Sequence, residues 1–266
     1  PRAMRVSVAE RVLTRERRYS WDLITHLVAR EFRLRYRQAT LGWIWALASP
    51  LARLTVLTFL FTRVVPLGIE NYGVFVFTGL IAWQWFSSGL MSATTSAVDR
   101  RELLFRPGVP RAVVPIVSVL TNGLDYLVAL PVLALFILLG DGIPLTALAL
   151  PVILLFQVLL TLGLGFMLCT ANVYFRDVHL FVNVATLLGW YLTPVFYQAR
   201  AVPDSFEWVL RINPMAQLLN AYRAVLIDGR LPEAKSFLIL ATACVAVFFV
   251  GLSIYRRKSP LFVDEL

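Results

Sequence analysis

The segment over 21–37 limits the possible folds of this chain most strongly, because its dense arginines lead directly into an apolar run of membrane length. On a 3.6-residue period, one narrow arc of a helix carries the polar residues Asp22, His26, Arg30, Arg33 and Arg37. Another face is apolar, and only Glu31 and Arg35 interrupt it. The pattern predicts an amphipathic helix that lies in a membrane surface, with its basic face toward water and anionic headgroups.

The composition excludes an ordinary soluble domain. Hydrophobic residues make up 59% of the 266 residues and charged residues 15%, whereas soluble domains are about 45–50% apolar and about 25% charged. A membrane span needs about 20 mostly apolar residues. Six runs meet this requirement, at 44–65, 72–91, 112–139, 144–171, 178–197 and 236–255. The sequence therefore predicts an all-α integral membrane protein with six transmembrane helices.

The net charge of +9 is distributed unevenly. Ten of the 25 basic residues precede Leu41, and further clusters lie at 100–111 and 256–258, on the same side of the six predicted spans. Because basic residues concentrate on the cytosolic side of membrane proteins, we expect both termini to be cytosolic. Nucleic acid is not an expected partner, because the chain lacks a soluble basic face with base-reading or stacking chemistry.

These features divide the chain into three parts. The predicted parts are a cytosolic N-terminal segment over 1–41, a six-helix transmembrane domain over 42–258 and a cytosolic tail over 259–266.

The cytosolic connection over 93–111 contains a charge cluster, Asp99-Arg100-Arg101-Glu102, and ends at Pro107-Gly108 and Pro110. A short amphipathic helix lying across the base of two spans is one interpretation. The alternative is a solvated loop whose arginines anchor the topology.

The outer connection over 198–235 is too polar to span and too apolar for a plain loop. Two apolar patches of helical period flank Asn213-Pro214, and residues before proline resist the helical region. We therefore predict two short helices joined at Asn213, in a re-entrant or interfacial hairpin at about 200–232 that caps an exit.

Several kinds of chemistry are absent. The chain has two lysines, Lys235 and Lys258, and neither follows a glycine, so it contains no phosphate-binding GxxxxGK[ST] loop. An ATPase driving transport would have to be another chain. The two histidines lack metal-ligand spacing, so no metal site is expected. No nucleophile elbow or clustered carboxylate pair lies in a span, so we do not expect an enzyme.

Two charged residues fall within predicted spans, Arg53 in the first and Asp125 in the third. Ionisable groups inside a membrane are rare and indicate either function or pairing. The favoured interpretation is that Arg53 and Asp125 pair with each other across a helix interface, which is a structural role.

Aromatic residues are abundant in and near the spans. Their usual role is in an interfacial belt or in helix packing. The alternative is that they offer flat faces to sugar rings in a conduit, and the candidates are Trp83, Trp85, Phe86, Trp190, Tyr191 and Tyr197.

The order of these segments resembles the membrane permease subunits of type 2 ABC exporters, which export O-antigen, teichoic acid and related lipid-linked cell-envelope glycans. The matching segments cover nearly the whole chain, in the family's order. They are REFRLRYRQATLGWIWALASPL (30–51), LLFRPGVPRAVVP (103–115), YFRDVHLFV (174–182), TPVFY (193–197) and RINPMAQLLNAYRAVL (211–226). The arginine-rich first twenty residues are not a family motif.

The resemblance implies a role for each segment. The 21–37 helix would be an interface helix, the 99–106 segment a coupling helix on an ATPase, and 205–227 the paired outer re-entrant helices. The implied ATPase-coupling residues are Asp99, Arg100, Arg101, Glu102 and Arg106, and the implied cytosolic entrance is Arg176 and Asp177. Arg30, Arg33 and Arg37 would guide a lipid pyrophosphate by charge attraction.

The resemblance also implies the partners and the location. Two copies of this chain and two ATPase subunits would enclose one channel in the bacterial cytoplasmic membrane, among membrane lipids, for a polyprenyl-pyrophosphate-linked polysaccharide. The chain itself would bind no cofactor, because ATP and Mg would belong to the partner ATPase. Two alternatives stay open, namely a permease for a drug, lipid or peptide, and an intramembrane transferase acting on polyprenyl-linked sugars.

Overall fold

The computed structural model describes residues 21–37, 44–140 and 142–265, and all regular secondary structure in these residues is helical. The predicted segment over 1–41 is therefore described only for 21–37, and its first twenty residues lie outside the described part. The helices are α1 (21–37), α2 (Ile44–Phe59, continued by a π-helical turn Leu60–Val64), α3 (Tyr72–Asp99), α4 (Arg101–Leu104), α5 (Val113–Leu139), α6 (Leu150–Tyr174, preceded by a 3-10 turn Leu145–Ala149), α7 (Val178–Leu192), α8 (Glu207–Ile212), α9 (Pro214–Leu226), α10 (Ala234–Lys258) and α11 (Phe262–Glu265).

Within the described residues, five helical segments are long and apolar enough to cross a membrane. They are Ile44–Val64, Tyr72–Asp99, Val113–Leu139, Leu145–Tyr174 and Ala234–Glu265. The sixth predicted run, 178–197, contains only the 15-residue helix α7. A helix of that length is about 22 Å long, shorter than a hydrocarbon core of about 30 Å. Because Thr193 precedes Pro194 and adopts an extended backbone, the helix ends earlier than predicted.

Helix α3 lies at the centre of the molecule and contacts α2, α5, α6, α7 and α9. Most of its length is buried, and small residues along it let the neighbouring helices approach closely. The closest helix contact is between α6 and α10, where a Cβ at Gly251 would overlap the carbonyl oxygen of Gly163. Among the bundle helices α2, α3, α5, α6, α7 and α10, helices α2 and α7 have the fewest buried residues.

One end of the bundle gathers a group of described arginines, and we call it the basic end; they are Arg100, Arg101, Arg106, Arg111, Arg176, Arg256 and Arg257. The basic end contains the segment 100–111, the α6–α7 turn and the end of α10. The predicted tail is folded there, because Phe262 of α11 is fully buried against Tyr174 and Tyr255. Arg111 also holds the tail in place. Its guanidinium donates to the Ser259 carbonyl oxygen at 2.8 Å, and its backbone carbonyl oxygen accepts from the Tyr255 hydroxyl at 3.0 Å.

The predicted coupling helix over 99–106 is shorter than expected. Helix α3 continues through the predicted connection to Asp99, and the separate helix α4 has only four residues, Arg101–Leu104. Leu104 is buried in a cluster with Phe262 and Tyr255, so α4 is held against the bundle. The segment is a single helical turn followed by a turn at Pro107-Gly108, with its polar side exposed.

At the opposite end, the prediction of two short helices joined at Asn213 is confirmed. The Asn213 side chain caps α9, accepting from the backbone N–H groups of Met215 at 3.0 Å and Ala216 at 3.3 Å. Helix α9 packs against α3, α6 and α10, and Tyr222 donates to Gln157 at 2.6 Å in the interior. Arg223 of α9 lies over the Phe75 ring of α3, 3.6 Å from its centroid.

Candidate functional site

Helix α1 is docked on α5 by its apolar face. Ile24 is buried in a cluster with Val113 and Val117, and Leu23, Leu27 and Val28 pack around it. The polar arc is left on the outside, where Arg30, Arg33 and Arg37 are exposed. The two faces of α1 therefore have different surroundings. The apolar face packs on α5, and the basic face is exposed to solvent or headgroups.

The two charges that interrupt the apolar face of α1 both form ion pairs with the bundle. Glu31 accepts from Arg100 at 2.7 Å, and both side chains are about three-quarters buried. Arg100 also donates to the Ser118 hydroxyl on α5. Arg100 is the residue between α3 and α4, so one side chain joins α1, α5 and the α3–α4 junction.

The second contact lies at the end of the described part of α1. Arg35 donates to Asp125 at 2.6 Å, and the Tyr36 hydroxyl donates to the other carboxylate oxygen at 2.8 Å. Burial, and then the hydrogen bond to Asp125, raise the pKa of Tyr36 to about 12. Arg35 also donates to Asn122, at 3.4 Å, one turn earlier on α5.

The predicted pairing of Arg53 with Asp125 is wrong. Asp125 binds Arg35 and Tyr36, while Arg53 donates to Gln84 of α3 at 2.6 Å. The sequence pattern predicted that α1 lies on the membrane surface. It therefore did not predict that Arg35 of α1 would neutralise Asp125.

The predicted coupling residues point in different directions. Asp99, Arg101, Glu102 and Arg106 are exposed at the basic end. Asp99 accepts from the Thr95 hydroxyl at 2.6 Å, and the Arg101 guanidinium lies 5.8 Å from the Phe105 ring centroid. Arg100 instead turns inward toward Glu31, as described above. An ATPase surface could therefore reach the exposed four residues, whereas Arg100 acts within the chain.

The predicted entrance residues, Arg176 and Asp177, are exposed in the turn between α6 and α7, at the same basic end. His179 stabilises this turn, because its ring Nδ1 lies 2.6 Å from the Arg176 carbonyl oxygen and its backbone N–H donates to Asn172 at 3.2 Å. The turn is thus held rigidly beside the basic end.

A groove of about 590 Å³ lies where α2 and α7 flank α3. Its polar and aromatic lining is Arg53, Trp83, Ser87, Asn183, Thr186, Trp190 and Tyr191. Trp83 and Trp190 meet edge to face, with ring centroids 6.3 Å apart, and Tyr191 is 59% exposed. Among the described residues that line the groove, Arg53 alone is charged.

Only part of the predicted aromatic set lines this groove. Trp83, Trp190 and Tyr191 do, but Trp85 and Phe86 are buried among the helices of the chain. Trp85 turns toward α5 and donates its indole N–H to the Val119 carbonyl oxygen at 3.1 Å. Tyr197 lies beyond the end of α7, where its hydroxyl donates to the Tyr191 carbonyl oxygen at 3.0 Å. Trp85 and Phe86 therefore present no open face to a conduit in this structure.

The polar residues of the groove, Ser87, Asn183 and Thr186, were not predicted from the sequence. Asn183, Thr186 and Trp190 lie on one face of α7 at spacings of three and four residues, and Ser87 follows Trp83 by one turn on α3. The spacing on α7 was available in the sequence, but it does not show which side of α3 faces the groove, because Trp85 is also followed by a serine, Ser88, one turn later.

The groove combines ring faces, hydroxyl and amide groups and one guanidinium in an otherwise apolar wall. Such a surface suits ligands with sugar rings or phosphate groups, because aromatic faces stack on apolar ring surfaces and arginine binds phosphate oxygens. The described residues contain no group of three His, Cys, Asp or Glu side chains that could hold a metal ion.

Similarity to known proteins places the chain in a family. Residues 22–227 match the family described as ABC-2 type transporter. The chain is 32% identical over 257 residues to the O-antigen export system permease protein RfbA of Myxococcus xanthus, covering 96% of this chain and 99% of the relative. It is 30% identical over 250 residues to the RfbA protein of Klebsiella pneumoniae, covering 93% and 96%.

A third relative is the polysialic acid transport protein KpsM of Escherichia coli, 25% identical over 248 residues and covering 90% of this chain and 94% of the relative. The family match, the full-length relatives and the apolar helices agree with one another. The chain is a multi-pass membrane protein that belongs to the ABC-2 type transporter family.

Proposed function

We propose that this chain is the membrane subunit of an ATP-driven exporter that moves a polyprenyl-pyrophosphate-linked polysaccharide across the bacterial cytoplasmic membrane. The observation that carries the proposal is the groove between α2 and α7, which gathers aromatic faces, hydroxyl and amide groups and Arg53. The relatives named for O-antigen export and polysialic acid transport support a polysaccharide as the cargo.

The basic end faces the cytosol in this proposal, because arginines concentrate there and basic loops remain on the cytosolic side. Both described ends of the chain, α1 and α11, pack at or near the basic end. The α8–α9 hairpin then lies on the outer side as a re-entrant pair that caps the exit.

A separate ATPase drives transport, because the chain has no phosphate-binding loop. ATP and Mg bind to that partner. The exposed residues Asp99, Arg101, Glu102 and Arg106 form its docking segment, and we call 99–106 the coupling segment. Arg176 and Asp177 lie beside it and form the cytosolic entrance.

A second copy of the chain completes the conduit. Among α2, α3, α5, α6, α7 and α10, helices α2 and α7 have the fewest buried residues, and the groove opens between them. Two copies that face each other across α2 and α7 would enclose two grooves in one channel. Arg30, Arg33 and Arg37 on the outer face of α1 attract the lipid pyrophosphate at the membrane surface.

The test is co-expression of the chain with the ABC ATPase of the same gene neighbourhood. We expect a complex with two copies of each chain, and lipid-linked glycan from the source organism should change its rate of ATP hydrolysis. Deleting the gene should remove the surface glycan. Failure to bind an ATPase would refute an exporter, and an intact surface glycan would favour a drug, lipid or peptide cargo. Turnover of polyprenyl-linked sugars by the isolated chain would favour a transferase.

A further inference from the structure

Polar contacts connect the coupling segment to α1. The Arg100 side chain leaves the α3–α4 junction and donates to Glu31 at 2.7 Å. Because both groups are mostly buried, this contact is shielded from solvent and salt more than a surface pair would be. Displacement of α4 would therefore move α1 with it.

A second set of contacts connects α1 to the interior of the bundle. Arg35 and Tyr36 both donate to Asp125, in the middle of α5. One turn earlier on α5, Asn122 accepts from Arg35 and donates to Ser92 of α3, at 3.1 Å. The end of α1 is thus hydrogen-bonded to α5 and, through Asn122, to α3.

A small cavity lies beside Asp125, between α2, α3 and α5. Its volume is about 40 Å³, and its polar lining consists of Gln84, Ser88, Asn122 and Asp125. A water molecule needs roughly 10–15 Å³ of such space and two to four polar partners. The cavity therefore meets both requirements for holding water between α3 and α5.

Gln84 connects this cavity to the groove. Its amide nitrogen donates to Ser88 at 2.8 Å, and its amide oxygen accepts from Arg53 at 2.6 Å. Arg53 is the charged residue of the groove lining, while Gln84 lines the cavity beside Asp125. Arg53 and Asp125 are therefore not paired directly, but Gln84 and the cavity lie between them.

We propose that Gln84 and Asp125 are positioning residues that tie Arg53 in the groove to the coupling segment, through α1 and through water in the cavity between them. The inference rests on the proposed function, since it assigns a role in export to a contact network. In this proposal, a movement of the coupling segment displaces Glu31 and then Arg35 of α1. The displacement is passed on to Asp125, to Gln84 and finally to Arg53. Arg53 thereby changes its position in the groove when the ATPase changes state.

The experiment measures glycan exported per ATP hydrolysed, with the complex of this chain and its ATPase in lipid vesicles. Gln84→Leu removes both amide hydrogen bonds at similar size, and Asp125→Asn weakens the contact with Arg35. We expect each to lower export per ATP about fivefold or more, within the usual range of coupling between sites. Gln84→Glu keeps an acceptor for Arg53 and should retain most of the wild-type ratio.

The double variant Gln84→Leu/Asp125→Asn separates a connected network from two local defects. In a network the double variant is no worse than the more damaging single variant, whereas independent sites give multiplied losses. Thr242→Val is the control, because the exposed Thr242 hydroxyl donates to the Leu238 carbonyl oxygen within α10, outside the groove, the hairpin and the network. It should leave export per ATP unchanged.

Ala46→Val tests the water in the cavity, because Ala46 lines the cavity without a polar side chain. Filling that space should lower export per ATP in the same direction as Gln84→Leu. An unchanged ratio in Ala46→Val would refute the water connection.

Multiplied losses in the double variant, or Gln84→Glu as defective as Gln84→Leu, would refute the network. If the Gln84→Leu variant does not assemble, Arg53→Gln replaces it, because Arg53 is exposed. Comparing Arg53→Gln, Asp125→Asn and the double variant then tests whether the two sites are connected. A wild-type complex that hydrolyses ATP without exporting glycan would refute the proposed function instead.

Discussion

Glu31 of α1 and Arg100 at the α3–α4 junction lie 2.7 Å apart, although 69 residues separate them in the chain. Glu31 is one of two charges on the apolar face of α1, where a charge would be unfavourable without a partner. The other is Arg35, which binds Asp125. The two residues that break the amphipathic pattern are therefore the two that form ion pairs between α1 and the bundle.

The Glu31–Arg100 pair predicts a charge-swap result. Glu31→Arg should lower export per ATP, because two arginines then face each other, and Glu31→Arg/Arg100→Glu should restore part of it. Both side chains are about one-quarter exposed, so the pair contributes only about 1 kcal/mol to the free energy of unfolding. Export and thermal unfolding of the purified complex measure the two effects. No restoration by the swap would contradict a direct role for the pair.

The exposed part of the coupling segment predicts a different defect. Arg101→Glu/Glu102→Arg should weaken binding of the ATPase with little change in the thermal stability of the chain, because both side chains face solvent. Copurification at increasing salt measures the binding. Arg257→Glu is a suitable control, since it changes an exposed charge at the same end. Equal loss of ATPase in the control would attribute the effect to charged residues at the basic end in general and not to the coupling segment.

The contact between Tyr36 and Asp125 predicts an alkaline transition. The pKa of Tyr36 is raised from 10.0 to about 12, so the docked state favours the neutral phenol. The stabilisation is complete below pH 10 and is lost as the pH rises toward about 12. Fluorescence of the exposed Trp21 should report release of α1 in this range. Tyr36→Phe should abolish this tyrosine-linked transition, and an unchanged profile would contradict the assignment.

Much of this architecture was predictable from local pattern. Periodicity predicted α1, runs of apolar residues predicted the spans, and Asn213-Pro214 predicted the junction of α8 and α9 because both residues act on neighbouring backbone. The partner of Asp125 was not predictable in this way. It depends on which helix covers α5, and α1 arrives there from about 90 residues away.

The aromatic residues show the same limit. Trp83 and Trp85 are two residues apart and so point to nearly opposite sides of α3, one toward α7 and the other toward α5. Composition could not choose between them, because which side of α3 faces the groove is set by its neighbours. Periodicity on α7 identifies only the polar face of α7 itself, on which Asn183, Thr186 and Trp190 lie.

Replacing Trp85 should mainly lower the stability of the protein, and any loss of transport should follow from that loss of stability. Its indole is buried against Gly123 and Tyr126, and Trp85→Ala would leave a large cavity and remove the hydrogen bond to the Val119 carbonyl oxygen. We expect a loss of about 3–5 kcal/mol in the free energy of unfolding. Thermal unfolding in detergent measures it. Normal stability combined with failed export would instead place Trp85 in the conduit.

The groove aromatics predict loss of export with a smaller loss of stability than Trp85→Ala, because Trp190 is partly buried and Tyr191 is exposed. Tyr191→Ala and Trp190→Ala remove ring faces from the α7 side of the groove, and Tyr191 is 59% exposed. Stacking on such rings contributes roughly 1 kcal/mol each, so the double variant should lower export of long polymers about thirtyfold. Phe181→Ala is the control, because Phe181 is 68% exposed on α7 and lies outside the groove. Polymer length distributions at the cell surface measure the effect, and equal loss with Phe181→Ala would assign these rings to lipid contact.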